Sequence, residues 1–231
     1  MRIAIVGRGK MGRAVAARAE ARGHTIEALI GRADLVDGHL PGERLAAADV
    51  AIEFTAPDAA AATVRQLVSL GVAVVTGTTG WDAERAGVEA LVRERGGALL
   101  VASNFSVGVQ LFLRAAAALA AELAGREGFD GLIVEEHHAA KRDAPSGTAL
   151  TLARAAHAAD PAREYPITSI RAGSIPGTHA LRYEGASEAI ALSHTARSRD
   201  GFAAGAVAAA EWLAGRSGVY TFEQMLFGRE R

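Results

Sequence analysis

The chain has no cysteine. A disulfide framework, a thiolate nucleophile and a cysteine-ligated zinc site are therefore excluded. Lysine is nearly missing too: among 25 lysines and arginines only Lys10 and Lys141 are lysines. Ordinary surface charge thus comes from arginine, and a lysine needs another reason. Arginine is a permanently charged fork, whereas lysine is a compact ammonium that can release a proton once burial lowers its pKa. Neither sign of charge is in excess. A net charge of -1 and a pI near 6.7 leave no electrostatic footprint for nucleic acid. No run reaches the roughly 18 uninterrupted apolar residues of a membrane span, and the apolar start at residues 3–6 meets glycine too soon for a signal-peptide core. A cytoplasmic chain with neither nucleic-acid nor membrane partner is expected.

There is also no charge block or low-complexity tract, and 50% hydrophobic with 22% charged residues describes a folded chain. Its 231 residues suit one large domain or two small ones. Short β-branched runs at 2–6, 25–30, 50–55, 72–76 and 98–103 alternate with amphipathic stretches at 11–22, 57–70 and 82–95, the rhythm of βαβ units around a parallel sheet. Gly23, Gly71 and Gly96 end those helices. After Asn104 the character changes. An Ala-rich helix at 107–123, a strand at 131–135 and a helix at 146–159 are followed by three runs at 167–172, 179–184 and 188–194, separated by turns alone and so expected to be antiparallel. The fold class is α/β, with an N-terminal Rossmann-like parallel sheet (1–104) and a second α+β domain (105–202) containing a mixed or antiparallel sheet. A last helix near 202–214 and a tail at 219–227 follow, and the segment 203–231 is expected to pack back onto the first domain.

Gly7-Arg8-Gly9-Lys10-Met11-Gly12 is a GxGxxG string between the first strand and the first helix. The first glycine makes the turn, the second admits a pyrophosphate, the third lets helix approach strand, and helix amides face the phosphates. Position inside a βαβ unit is what separates this from a packing glycine turn. No carboxylate ends strand two, where a ribose-binding acid is expected; Arg32 stands there and suits a 2′-phosphate, unless it is an exposed turn residue. NADPH is modestly favoured over NADH, which nearby Asp34 keeps open. Two further loops, Gly77-Thr78-Thr79-Gly80 and Ala102-Ser103-Asn104-Phe105-Ser106, follow strands four and five. Each alone reads as a polar turn; beside the glycine loop they ring one crevice.

The chemistry concentrates in Glu135-Glu136-His137-His138-Ala139-Ala140-Lys141-Arg142-Asp143-Ala144-Pro145-Ser146-Gly147-Thr148. A lone histidine is usually structural, but a histidine pair followed three positions later by a rare lysine points to acid/base catalysis. Adjacent histidines lack helical metal-ligand spacing and there are no thiolates, so no metal is expected. Pro145-Ser146-Gly147-Thr148 opens a helix whose free amides suit a carboxylate; the plainer account is an N-cap by Ser146. Asp143 caps or orients. His179 and His194 receive no role.

These residues resemble the 4-hydroxy-tetrahydrodipicolinate reductase (dihydrodipicolinate reductase) family of diaminopimelate and lysine biosynthesis. The likeness runs from Gly7–Gly12 through Glu53-Phe54-Thr55, Gly77–Gly80 and Asn104–Val109 to Gly205-Ala206. It is most specific in His-His-x-x-Lys-x-Asp-Ala-Pro-Ser-Gly-Thr-Ala from His137 to Ala149. The resemblance implies an NADPH- or NADH-dependent oxidoreductase, a cyclic dicarboxylate substrate bound by the second domain, and a homotetramer formed through that domain's sheet. It implies His137 as acid/base, Lys141 as proton donor and substrate support, His138 as substrate contact, and Gly147 with Thr148 as carboxylate-binding amides. Gly7, Arg8, Gly9, Lys10, Met11, Gly12, Gly77, Thr78, Thr79, Ala102, Ser103, Asn104 and Phe105 would hold the nucleotide. It also implies hydride transfer to C4 of the heterocycle after water is lost. Two departures are a short segment between Gly31 and Val50 and the missing acid after strand two. The alternatives are another two-domain nicotinamide-dependent amino-acid or semialdehyde dehydrogenase and a dinucleotide-sensing regulator; the latter has no need of His137 and Lys141.

Overall fold

A computed structural model describes residues 1–228; the end of the 203–231 segment, 229–231, lies outside the described residues. In chain order the elements are β1 (Arg2–Val6), α1 (Lys10–Ala21), β2 (Thr25–Ile30), β3 (Val50–Glu53), α2 (Pro57–Ser69), β4 (Ala73–Thr76), α3 (Asp82–Glu94) and β5 (Ala98–Val101). There follow α4 (Val107–Leu123), β6 (Phe129–His137), α5 (Gly147–Ala159), β7 (Ile167–Arg171), β8 (Thr178–Gly185), β9 (Ala189–Thr195), α6 (Asp200–Leu213), β10 (Gly218–Thr221) and α7 (Phe222–Phe227). Among the described residues no helix is long and apolar enough to cross a membrane. Among the described residues two units result, one of 1–107 with 199–228 and one of Gly108–Ser198.

The first unit holds a six-stranded sheet in the order β10-β5-β4-β3-β1-β2, every pair parallel. Both faces are covered, which is why its strands read as unbroken apolar runs. Along β1, Ile3 and Ile5 enter the cluster shared with α1 and α6, while Ala4 and Val6 enter the cluster shared with α2 and α3. Each fully buried isoleucine or leucine there contributes about 1.5–3 kcal/mol over an exposed one. The small residues of α6 let it lie close to its neighbours: a Cβ on Gly205 would fall 1.8 Å from the Phe105 carbonyl oxygen. The order of the strands reverses at β1, with β2 on one side and β3 on the other. A crevice at the carboxyl ends of the strands follows from that reversal. Strand β10, in the tail expected to pack back onto the first domain, extends this sheet by pairing with β5.

The second unit holds a four-stranded sheet in the order β7-β6-β8-β9. The expectation of three antiparallel runs is corrected at β7, which pairs with β6 in parallel. Helix α5 lies between them in sequence, so the connection is a crossover that returns the chain in the same direction. β6–β8 and β8–β9 are antiparallel. One face packs on α4 and α5 through Phe112, Ala116, Ile133, Leu152, Leu181 and Tyr183. β6 alternates from buried Gly131, Ile133 and Glu135 to half-buried Leu132, Val134 and Glu136, so the core-facing register carries a carboxylate and then His137 at its end.

Candidate active site

In the first unit the glycine string turns from β1 into α1 for identifiable steric reasons. Gly7 has φ +115°, and a Cβ there would lie 1.9 Å from the Phe54 carbonyl oxygen; at Gly12 it would lie 1.7 Å from the Gly7 carbonyl oxygen. Gly9 differs, since a Cβ there meets nothing within 4 Å. Gly9 is also the N-cap of α1, with no side chain capping the helix and no acid in its first turn, where Lys10 and Met11 stand. Open space over free amides at a helix start fits a phosphate group. After β2, Arg32 is exposed on a one-turn 3-10 helix, Arg32–Asp34. Asp34 accepts from the Gly31 amide at 2.8 Å and is paired with Arg8 at 2.8 Å and Arg44 at 3.5 Å. The Gly31 amide first, then these cations, hold its carboxyl below the usual range against the effect of desolvation. The carboxylate near strand two is thus already engaged, in a setting of guanidinium groups.

The loops that follow β3 and β4 are tied to a buried carboxylate to which the sequence gave no role of its own. Glu53, the last residue of β3, is 0% exposed. Its Oε1 accepts from the Thr55 amide at 2.6 Å, the Thr55 hydroxyl at 2.5 Å and the Thr78 hydroxyl at 2.6 Å, and its Oε2 accepts from the Thr76 hydroxyl. Four donors replace the water a carboxylate loses on burial. Thr78 is therefore buried with its hydroxyl on Glu53, whereas Thr79 is exposed. Gly77 sits where a Cβ would strike the Phe54 ring at 2.1 Å. In the last loop Ala102 donates to Thr76 O at 3.1 Å, Ser103 is exposed, Asn104 Oδ1 accepts from the Ser106 amide at 2.8 Å, and Phe105 packs edge-on against Phe54 and Phe222.

In the second unit β6 runs two residues past its expected end, so His137 closes the strand and His138 opens the following loop. The register sets Glu135 beside His179 of β8, His179 beside His194 of β9, and His137 beside Arg171 of β7. His137 Nδ1 meets Glu135 Oε2 in a short hydrogen bond. Arg171 Nη2 donates to the other carboxylate oxygen at 2.5 Å and to Asp143 O at 2.7 Å. The His179 ring stands edge-on to that of His137 at 5.1 Å, and its Nε2 lies 2.9 Å from Ser146 Oγ. Ser146 is the N-cap of α5, accepting from the Ala149 amide at 3.2 Å. The cap expected at Ser146 is present, and it leaves room at the helix start: Gly147 and Thr148 occupy the first turn, and a Cβ on Gly147 meets nothing within 4 Å. Lys141 Nζ donates to both Asp143 oxygens at 2.7 Å, and its amide donates to His138 O at 3.1 Å. Gly177, at φ +130°, lies against the Nε2 edge of His137, 3.2 Å from an added Cβ.

Burial pushes the Glu135 carboxyl up, but hydrogen bonds from Arg171, Ser169 and His137 outweigh it and hold it at about 2. Burial lowers His137, with Glu135 opposing and Lys141 and Arg171 adding to the fall. Burial, then the charge of His137, brings His179 down to about 4. Ligand atoms of Glu135, His137 and His179 lie within 4.8 Å of one another, close enough for one cation. Both oxygens of Glu135 are already engaged, one by a guanidinium whose charge would repel a metal.

The structure thus gathers His137, Lys141, Gly147 and Thr148 at one end of the second sheet and the glycine string, Arg32, Gly77 and Ala102 at the carboxyl edge of the first. Sequence reasoning named Glu53, Glu135 and His179 without giving them a role and did not name Arg171 or Gly177. Period-two alternation from Ile133 already put Glu135 on the face of His137; the others needed the pairing of strands distant in sequence.

A doubly wound sheet with this glycine turn beneath free helix amides, and a second unit bearing an imidazole, a lysine and a helix start, define a nicotinamide-dependent oxidoreductase. Residues 1–105 match the family described as Dihydrodipicolinate reductase, N-terminus, and residues 108–226 that described as Dihydrodipicolinate reductase, C-terminus. The 4-hydroxy-tetrahydrodipicolinate reductase of Christiangramia forsetii is 36% identical, covering 98% of each chain. That of Stenotrophomonas maltophilia is 40% identical, covering 94% of each. In fold, a dipicolinate-bound dihydrodipicolinate reductase from Paenisporosarcina sp. TG-14 superposes with a TM-score of 0.81 at 24% identity over 97% of this chain and 99% of that one. The chain belongs to the dihydrodipicolinate reductase family, the oxidoreductases of diaminopimelate and lysine biosynthesis.

Proposed function

We propose that the chain reduces 4-hydroxy-tetrahydrodipicolinate to tetrahydrodipicolinate, with NADPH favoured over NADH. The observation that carries this is the joining of an anion seat to an acid: Ser146, N-cap of α5, bonds His179, whose ring lies 5.1 Å from that of His137. A cyclic diacid is recognised by such a seat. The amides of Gly147 and Thr148 take one carboxylate, and Lys141 steadies the substrate by its charge. His138 adds a contact from the start of the loop. When bound, the reduced nicotinamide supplies a hydride, accepted at C4 of the ring once its hydroxyl has left as water. His137 then delivers a proton to the reduced ring, Lys141 serving as a second donor. Fixing the ring between amides and ammonium lowers the entropic barrier to both transfers.

For the nucleotide, open Gly9 and the free amides of α1 receive the pyrophosphate, and the loops of Gly77 to Thr79 and Ala102 to Phe105 line the remainder. Arg8 and Arg44 flank an Asp34 that is already engaged, and Arg32 is exposed beside them. Such a setting accepts a 2′-phosphate better than two ribose hydroxyls. The self-association we propose is a homotetramer through the sheet face opposite α4 and α5, where Leu132, Val134 and Ala180 are half-buried and Ile170 is 38% exposed. The test of activity is nicotinamide absorbance in the presence of enzymatically generated substrate. Oxidation of neither nucleotide by folded protein would overturn the assignment, and a monomeric mass in light scattering would overturn the tetramer.

A further inference from the structure

We propose that Glu135 is the positioning residue for His137, fixing its tautomer so that Nε2 alone exchanges protons with the substrate, and that Arg171 holds Glu135 in that task. This rests on the assignment of His137 as proton donor. Glu135 is 0% exposed and presents one oxygen to each neighbour: Oε1 takes Arg171 Nη2 at 2.5 Å, and Oε2 takes His137 Nδ1. An ionised carboxylate only accepts, so the Nδ1 facing it carries a proton in both charge states of the imidazole. Nε2 is left as the nitrogen that gains and loses one. It lies against Gly177, where no side chain intrudes.

The remaining neighbours do not supply this orientation. His179 on β8 stands edge-on to the His137 ring and turns its Nε2 to Ser146. Lys141, in the loop after β6, is bound to Asp143. Arg171 reaches Glu135 and, through Asp143 O, the lysine-bearing loop as well. One buried carboxylate and one guanidinium therefore connect the imidazole to the segment that carries the ammonium. In the proton transfer the Nε2–H bond breaks, a bond to the reduced ring forms with the electron pair brought by the hydride, and imidazolium becomes neutral imidazole. His137 keeps its Nδ1–H throughout, donated to Glu135, which takes up no proton.

The decisive experiment uses full-length protein with ¹⁵N-labelled histidine. In the unaltered protein, neutral His137 is expected as the Nδ1–H tautomer. In Glu135→Gln, Arg171 draws the amide oxygen, the amide NH₂ faces Nδ1, and His137 is expected to switch to Nε2–H. Turnover then falls at least about a hundredfold with KM changed less than about threefold. Glu135→Asp, which keeps the charge on a shorter arm, is expected to retain the tautomer and part of the turnover. An Nε2–H tautomer in the unaltered protein, or an unswitched tautomer in Glu135→Gln, would overturn the proposal. So would full kcat in that variant. Should Glu135→Gln fail to fold, the tautomer of the unaltered protein still decides. Full turnover in His137→Gln would instead sink the proton-donor assignment while leaving the tautomer measurement to judge Glu135 by itself.

Discussion

Each unit buries one carboxylate near the carboxyl end of a sheet strand, and the two are satisfied by opposite chemistry. Glu53 at the end of β3 is held by three threonine hydroxyls and an amide; Glu135, two residues from the end of β6, is held by a guanidinium and an imidazole. Neutral donors have fixed directions and no net charge, so Glu53 acts as a pin that sets the loops of Thr55 and Thr78. Charged partners make Glu135 part of an electrostatically coupled group in which proton affinity is tuned. Under the proposed function, the first arrangement suits the unit assigned to nucleotide binding and the second the unit assigned to proton transfer.

The contrast breaks most easily where its effect on rate is largest. His137→Ala and Lys141→Ala are each expected to lower kcat at least about a hundredfold while nucleotide affinity, read by titration, stays near the parent value. An equal loss of nucleotide binding would erase the division of labour. The next largest effect is acid lability of the second unit. His179 has a folded pKa of about 4 against an ordinary 6.5, so between those values the unfolded chain binds a proton that the folded one refuses. Stability therefore falls as pH drops from about 6.5 to 4, by on the order of 3 kcal/mol. Glu135, at about 2 against 4.5, extends the decline from about pH 4.5 towards 2. Both tryptophans, Trp81 and Trp212, lie in the first unit, and Tyr165 and Tyr183 in the second. The third tyrosine, Tyr220, lies in the first unit, so denaturation at stepped pH is followed in a Tyr220→Phe background, where the tyrosine near-ultraviolet dichroism band reports the second unit and tryptophan fluorescence the first. His179→Gln should flatten the upper part of the slope.

Glu53→Gln sharpens the other side. Placing an amide NH₂ among hydroxyl donors should cost the first unit about 1–3 kcal/mol in tryptophan-detected unfolding, and it should weaken nucleotide binding with kcat at saturation changed less than about threefold. The smallest effect is on nucleotide choice. Arg32→Ala and Arg44→Ala should each raise the Kd for NADPH about threefold and leave NADH nearly unchanged, in keeping with exposed ionic contacts. Equal weakening of both nucleotides would remove the 2′-phosphate from that turn.

The amino-acid sequence alone carried the parallel first sheet, because strands buried on both faces are apolar runs and the helices between them end at glycine. It also carried the glycine turn and the His137-to-Thr148 cluster, since these are contiguous and their chemistry is local. Only the tertiary structure decided that β7 runs parallel to β6, that β10 completes the first sheet, and that Arg171, Gly177 and His179 join Glu135 around one imidazole. Strand register is a property of pairing between segments far apart in the chain, and no local periodicity specifies which residue faces which. The same limit hid Glu53, whose hydroxyl partners become neighbours only when β3 and β4 lie side by side.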